Sequence, residues 1–175
     1  MKTLSEKQAL IKLRELKNDF RSKIKQNYEH RAKDCGTCET KGACCTDAHF
    51  VNVHITRLEA VLINEELKKL TSEKQTEIYN RIAETVEKYE LTADGDTFAK
   101  TFACPLFEQN TGCLMHEIKP IPCIAHACYE RAKDLPPDEL QSATEEKIER
   151  LNEQTYKKFS RWLPLPVLLN QNRER

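Results

Sequence analysis

The sequence has few glycines, no net charge and no long apolar run. Its four glycines form neither a G-x-G-x-x-G nor a P-loop pattern, which argues against a nucleotide site of the Rossmann or P-loop type. Basic and acidic residues number 28 each, so a protein that coats nucleic acid through excess positive charge is not indicated. No stretch approaches the roughly 20 apolar residues of a membrane span, and we expect no membrane partner.

The N-terminal residues lack the apolar core and the small-residue cleavage pattern of a signal peptide. This absence predicts a cytoplasmic protein, whose thiols are kept reduced. The prediction matters because the chain contains eight cysteines. In a reducing compartment these cysteines indicate metal binding, dithiol redox chemistry or inert core thiols rather than disulfides.

The cysteines fall into two groups, within eleven and twenty-five residues respectively. The first group is Cys35, Cys38, Cys44 and Cys45, and the second is Cys104, Cys113, Cys123 and Cys128. Both groups lie in segments with glycine, proline and threonine, which are typical of loops. Inert thiols would instead be scattered over apolar helix faces. The clustering therefore predicts that all eight cysteines are metal ligands.

The identity of the metal is left open by the spacing. Thiolate suits both zinc and iron, and eight sulfurs fit two four-coordinate sites or one [4Fe–4S] cluster together with a zinc. In an extended backbone Cys44 and Cys45 would point to opposite sides, so we expect them to serve different metals, or one of them to ligate while the other packs or stays unligated. An iron–sulfur cluster and Zn²⁺ are near-equal alternatives. His116 and His126, which lie close to cysteines in sequence, are further candidate ligands.

The hydrophobic pattern predicts a mainly helical chain. Apolar residues recur at three- or four-residue steps in the first segment, and capping-box patterns at Thr56-Arg-Leu-Glu59 and Ser72-x-x-Gln75 mark two helix starts. Helices are predicted over residues 3–30, 57–70, 72–91, 123–133 and 138–161. Short strands are predicted over residues 49–55, 98–107 and 112–116, with the last two forming a hairpin.

These elements define the predicted fold class, which is mainly α, with helices around an irregular cysteine-rich metal-binding centre and a short β-hairpin. We predict a single domain over residues 1–175. It comprises an N-terminal helix over 1–34, a cysteine-cluster core over 35–135, and a C-terminal helix with an apolar tail over 136–175.

The zero net charge conceals two charged segments of opposite sign. Residues 2–34 contain ten basic and five acidic side chains, whereas residues 59–96 contain ten acidic and five basic ones. We expect the two segments to pair within the domain. The alternative is that the basic helix docks on an acidic protein or on RNA.

The cysteine segments also carry a family resemblance. The first reads Cys38-Glu-Thr-Lys41-Gly-Ala-Cys44-Cys45, and the second reads Cys104-Pro-Leu-Phe107, then Gly112-Cys113-Leu-Met-His-Glu117-Ile-Lys-Pro120-Ile-Pro-Cys123. They are similar to the C-x-x-C-G-x-C-C, C-P-F-L and G-x-C-x-I-Y-E-x-R-P-x-x-C signatures of the YkgJ-type cysteine-cluster family, whose domain is described as zinc- or iron-chelating.

The resemblance implies a metal or iron–sulfur site and identifies six cysteines as family positions. These are Cys38, Cys44, Cys45, Cys104, Cys113 and Cys123. Lys41 stands where the family has a further cysteine, and Cys35 is expected to replace that ligand. His116 stands at the family's tyrosine position, and Cys128 lies beyond the matched stretch.

Together, the residues and the resemblance predict a cytosolic protein that binds a metal or an iron–sulfur cluster. Its role would be electron transfer, redox sensing or metal handling. One alternative is a cluster-dependent redox or methyl-transfer enzyme, because a protein group that methylates flagellin lysines has a similar cysteine signature. The other is a structural-zinc module that binds RNA or protein. No residue is assigned a catalytic role.

Overall fold

The computed structural model describes residues 3–33, 42–46, 52–157 and 161–173. Within this part of the chain 62% of the residues are helical, in six α-helices and several short 3₁₀ turns. The helices are α1 (Glu6–Asn27), α2 (Arg57–Leu67), α3 (Ser72–Lys88), α4 (Ile121–Ala125), α5 (Asp138–Tyr156) and α6 (Leu165–Gln171). The predicted mainly α fold is therefore confirmed.

Two small antiparallel sheets complete the described structure. The strands are β1 (His54–Ile55), β2 (Phe107–Glu108), β3 (Gly112–Cys113) and β4 (Leu163–Pro164). Strands β2 and β3 form a hairpin, as predicted, in which Phe107 pairs with Cys113. The strand predicted over residues 98–107 is wrong, because Thr97–Ala99 is a 3₁₀ turn and β2 begins only at Phe107. Strand β1 pairs with β4, so that His54 lies opposite Pro164. The sequence did not predict this second sheet.

Side-chain caps fix the starts of the long helices. At α2 the Thr56 hydroxyl accepts the Glu59 amide at 3.3 Å, and the Glu59 carboxylate accepts the Thr56 amide at 3.1 Å. This reciprocal pair is the predicted capping box. At α3 the capping residue is Thr71, whose hydroxyl accepts the Lys74 amide at 3.3 Å, and not Ser72 as predicted.

The chain divides into two compact units. Unit 1 comprises Met1–Lys41 and Ile118–Phe159, and unit 2 comprises Gly42–Glu117 and Ser160–Arg175. The prediction of one domain over residues 1–175 stays a prediction.

Unit 1 is built from α1, α4 and α5, which pack against one another. Its buried apolar side chains include Leu13, Phe20, Ile24, Ile121, Ile148 and Leu151. Lys17 on α1 is also buried, and its ammonium group donates to the carbonyl oxygens of Ile118 at 3.2 Å and Lys119 at 2.8 Å. A buried ammonium needs such acceptors, and here they fix the segment that leads into α4.

Unit 2 is built from α2, α3 and α6 together with both sheets. Its apolar core includes Leu58, Leu62, Ile63, Ile78, Ile82, Leu165 and Leu169. A buried polar link crosses this core, because Asn64 donates to the carbonyl of Asn172 at 3.0 Å and accepts from the Tyr79 hydroxyl at 3.1 Å. These two hydrogen bonds connect α2 to α3 and to the end of α6.

Several predicted boundaries are wrong. The sequence predicted irregular structure over residues 119–123 and a helix over 123–133, whereas α4 is Ile121–Ala125. Pro122 is tolerated because the first turn of a helix needs no amide from it. Helix α5 ends at Tyr156 and not at residue 161, since Lys157 has a left-handed backbone with φ 52°. Of the strand predicted over residues 49–55, residues 49–51 lie outside the described residues.

None of the described helices is long and apolar enough to cross a membrane.

Candidate metal centre

The described cysteines are distributed over both units. Unit 2 contains Cys44, Cys45, Cys104 and Cys113, and unit 1 contains Cys123 and Cys128. The second sequence group is therefore divided between the units. Cys35 and Cys38 lie outside the described residues, and their predicted role as ligands stays a prediction.

Cys44 and Cys45 lie on a 3₁₀ turn, Ala43–Cys45. Gly42 begins the turn with φ 79°, and its carbonyl accepts the Cys45 amide at 2.8 Å. Consecutive side chains on a 3₁₀ turn diverge by about 120° instead of the 180° of a strand, and the two Sγ atoms are 4.0 Å apart. The expectation that this pair points to opposite sides is therefore wrong, because its premise of an extended backbone does not hold.

Backbone hydrogen bonds connect this turn to the other thiols of unit 2. The Cys104 amide donates to the Cys45 carbonyl at 2.8 Å, and the Cys104 carbonyl accepts the Phe107 amide at 3.2 Å. Phe107 in turn pairs with Cys113 in the β2–β3 hairpin. Residues that are far apart in sequence are thus joined into one continuous framework that carries four cysteines.

The ring of Phe107 also packs against Gly42. It occupies the position that a Cβ atom at residue 42 would take. A glycine is therefore needed here both for the positive φ and for the close approach of the ring. Gly42 and Phe107 both lie in the motif stretches that carry the family resemblance, but nothing in the sequence indicated that they are in contact.

The electrostatic surroundings of Cys104 indicate how the thiols are arranged. Cys104 is half-buried, and burial raises the pKa of its thiol to about 12. Neighbouring Cys113 and Cys44 raise this pKa further, whereas the Leu106 amide and Arg81 lower it. The Cys113 and Cys44 thiols therefore both lie within electrostatic range of the Cys104 thiol.

An ion-pair cluster anchors the hairpin to α3. One carboxylate oxygen of Glu108 lies 2.5 Å from the Lys74 ammonium and 3.0 Å from the Arg81 guanidinium. Lys74 and Arg81 are the main reasons why the pKa of Glu108 lies below its usual value, with the Lys74 contribution the larger. This cluster positions strand β2, and through it the cysteine on strand β3.

The cysteines of unit 1 lie in and after α4. Cys123 is half-buried in the helix and Cys128 is exposed. The Cys128 carbonyl accepts the Lys33 amide at 3.0 Å, and Ala32 forms a β-bridge with Tyr129. Residues 32–33, which follow α1, are thus hydrogen-bonded to residues 128–129.

The candidate histidines are both exposed. His116 lies in the 3₁₀ turn His116–Ile118, and His126 follows the last residue of α4. Among the described residues, no three or more His, Cys, Asp or Glu side chains lie together in an arrangement that could hold a metal ion. The predicted roles of both histidines as ligands therefore stay predictions.

The chemistry of the unit 2 thiols suits a soft cation. Two thiolates on one tetrahedral zinc, at Zn–S distances of about 2.3 Å, lie about 3.8 Å apart. The 4.0 Å between the Sγ atoms of Cys44 and Cys45 is close to that separation. Among the described residues, Cys104 and Cys113 are the thiols of the same unit that could supply further sulfur ligands.

Comparison with known proteins finds no matching family model, no similar curated protein and no similar solved structure. The resemblance to the YkgJ-type family therefore stays a prediction that rests on the cysteine motifs. The chain is a mainly helical protein. In unit 2, backbone hydrogen bonds connect the segments that contain its four cysteines.

Proposed function

We propose that this chain binds a soft metal ion through the thiols of unit 2, namely Cys44, Cys45, Cys104 and Cys113. The observation that carries the proposal is the 4.0 Å separation between the Sγ atoms of Cys44 and Cys45. Two thiols held this close by a hydrogen-bonded turn are suited to ligate one ion, because they lose little conformational freedom on binding. Thiolate ligands favour zinc and iron over hard cations.

The same separation favours a single four-coordinate ion over a [4Fe–4S] cluster. In such a cluster each iron takes one cysteine, so neighbouring thiolates are spread over different irons. A zinc ion takes all four sulfurs itself. We therefore propose Zn²⁺, or iron in an equivalent tetrathiolate site, with the cysteines of unit 2 as ligands.

Exposure supports a metal-handling role for the site. Cys44 is exposed, whereas Cys45, Cys104 and Cys113 are half-buried. A structural zinc site is closed on all sides, but this one would have a solvent-facing ligand from which an ion can be transferred to another thiol. Such transfer is the metal-handling function that we propose.

Elemental analysis of the full chain, purified anaerobically, tests the proposal. We expect about one equivalent of zinc or iron in unit 2. The protein reconstituted with Co²⁺ should show the intense visible d–d bands of a tetrahedral thiolate site. A colourless Co²⁺ protein with no bound zinc or iron would contradict the proposal.

Matched cysteine variants assign the ion to its ligands. Cys104→Ser and Cys113→Ser should each lose the ion of unit 2 and its Co²⁺ spectrum. Cys128→Ser removes an exposed cysteine of the other unit and should retain both. Equal loss in all three variants would contradict the assignment to unit 2.

The two other functions suggested by the sequence stay predictions. A cluster-dependent enzyme needs a substrate pocket beside the cluster, and a zinc module that binds RNA needs a basic surface on the folded unit. In the part of the chain described here, no observation favours either over metal handling.

A further inference from the structure

The Cys44–Cys45 pair has a second chemical capacity that needs only two sulfur atoms. Cys44 is exposed and Cys45 half-buried, so small reagents can reach both. Their sulfur atoms are 4.0 Å apart on a turn that two hydrogen bonds hold. The Cys45 amide donates to the Gly42 carbonyl, and the Thr46 hydroxyl donates to the Ala43 carbonyl at 2.9 Å. The pair is therefore a preorganised vicinal dithiol.

The geometry of the backbone disfavours a disulfide between these two residues. The α-carbons of consecutive residues joined by a trans peptide are about 3.8 Å apart, below the usual lower limit of about 4.4 Å for disulfide-bonded cysteines. Closing the bond would strain the turn and make the disulfide easy to reduce. A reagent that bridges the two sulfurs through a third atom avoids this strain.

We propose that Cys44 and Cys45 form a chelating site for trivalent arsenicals. The inference goes beyond the proposed metal function, because trivalent arsenic needs two thiols and no tetrahedral set of four. Arsenic(III) is a soft acceptor that prefers thiolate sulfur.

The binding step is a ligand exchange without electron transfer. Arsenous acid, As(OH)₃, gives up two hydroxyl groups, which leave as two water molecules with the protons of the two thiols. Two S–H and two As–O bonds break, and two As–S bonds and two O–H bonds form. Arsenic stays trivalent, so the step needs neither an oxidant nor a reductant.

Phenylarsine oxide tests the inference on the full, reduced chain, and trypsin separates the relevant cysteines. Cleavage after Lys41 and Arg57 yields a peptide over residues 42–57 that contains only Cys44 and Cys45, while residues 34–41 carry Cys35 and Cys38. We expect a phenylarsenic bridge on the peptide over 42–57. A bridge found only on other peptides would overturn the inference, as would the absence of any adduct.

Variants measure the contribution of each sulfur. In a Cys35→Ser, Cys38→Ser background, Cys44→Ser and Cys45→Ser should each weaken phenylarsine oxide binding by about a hundredfold, because the second bond is no longer intramolecular. Affinity is read by competition with 2,3-dimercaptopropanol. Cys128→Ser is the matched control and should bind like the background protein. Unchanged binding in both the Cys44 and the Cys45 variant would refute the site.

The Cys104→Ser variant separates this inference from the proposed function. It should lose the metal ion of unit 2 and still bind phenylarsine oxide. If the wild-type chain binds no metal but carries the arsenic bridge, the proposed function fails and the inference stands. If the chain binds zinc and no arsenical, the inference fails alone.

Discussion

The ring of Phe107 fills the space in which a side chain at Gly42 would lie. Gly42 also has φ 79°, so Gly42→Ala should combine backbone strain with a steric overlap at the start of the turn that carries Cys44. We expect the free energy of unfolding to fall by about 1–2 kcal/mol for the left-handed backbone and by about 1–3 kcal/mol more for displacing the ring. Urea unfolding measures both contributions together.

Gly95→Ala is the matched control for this substitution. Gly95 has φ 77°, and nothing lies within 4 Å of the position of an added Cβ atom. It should therefore show the backbone contribution alone. Adding Phe107→Leu to Gly42→Ala should recover part of the lost stability. If the two glycine variants are equally stable, the ring contact is not what constrains residue 42.

The vicinal cysteines show where sequence reasoning fails. Local spacing identified Cys44 and Cys45 as ligand candidates, but the direction of their side chains depends on a turn set by Gly42 and by its contact with Phe107. That contact joins residues 65 positions apart. The local sequence pattern around either residue cannot predict a contact over such a distance. The capping box at Thr56 involves residues only three positions apart and was predicted correctly.

A second prediction concerns the buried polar link in unit 2. Asn64 joins Asn172 on one side and Tyr79 on the other. Asn64→Leu would leave the Asn172 carbonyl and the Tyr79 hydroxyl buried without this partner. We expect a loss of about 2–4 kcal/mol in unfolding free energy, since each unsatisfied buried group costs about 1–3 kcal/mol.

Chemical denaturation of two further variants checks this result. Asn80→Leu removes an exposed asparagine from α3 and should change stability little. The double variant Asn64→Leu, Tyr79→Phe should be more stable than Asn64→Leu alone, because the orphaned hydroxyl is gone. A double variant less stable than Asn64→Leu would argue against an unsatisfied hydroxyl.

The second sheet and the placement of the tail show the same limit of local patterns. The sequence predicts an apolar tail over residues 162–169 that is not helical throughout, and the structure has strand β4 followed by α6. Its pairing with His54 and Ile55 spans more than 100 residues and only two residue pairs. Such a short, distant pairing has no periodic signature, so only the presence of the tail and its mixed character could be predicted.

A third prediction follows from the burial of His54. This side chain is 5% exposed, stacks on Phe98 with ring centroids 3.8 Å apart, and has its Nε2 atom 3.0 Å from the Thr97 hydroxyl. Burial lowers the pKa of His54, and the hydrogen bond with the Asn52 carbonyl opposes this shift only in part. The folded protein therefore takes up the proton less readily than the unfolded chain.

The free energy of unfolding should decrease as the pH falls, because the pKa of His54 is lowered in the folded protein. As the pH falls through the usual histidine pKa of about 6.5, the unfolded chain is protonated first, so the folded state loses relative stability. His54→Gln removes this titration and should flatten the dependence between about pH 8 and pH 5, measured as urea midpoints. His30→Gln, which replaces an exposed histidine of unit 1, is the control. Equal slopes for the His54 variant and the wild type would contradict the prediction.

The last prediction concerns the anchor of the cysteine-bearing hairpin. Lys74 and Arg81 bind the Glu108 carboxylate, and the pKa of Glu108 is lowered chiefly by Lys74. The folded state therefore favours the ionised carboxylate, and this stabilisation is present above the usual glutamate pKa of about 4.3. It is lost as the pH falls through the lower pKa of the folded protein. Glu108→Gln should thus be less stable than wild type near neutral pH, and the two should converge in acid.

Melting temperatures over a pH series measure this convergence, with Glu87→Gln on the exposed side of α3 as the control. Because Glu108 pairs with Gly112 beside Cys113, the substitution should also loosen the hairpin itself. Hydrogen exchange at the Leu114 amide, which donates to the Leu106 carbonyl at 2.9 Å, should become faster in Glu108→Gln and stay unchanged in Glu87→Gln. Exchange at the wild-type rate, together with reduced stability, would mean that the ion pairs stabilise α3 without positioning the cysteine.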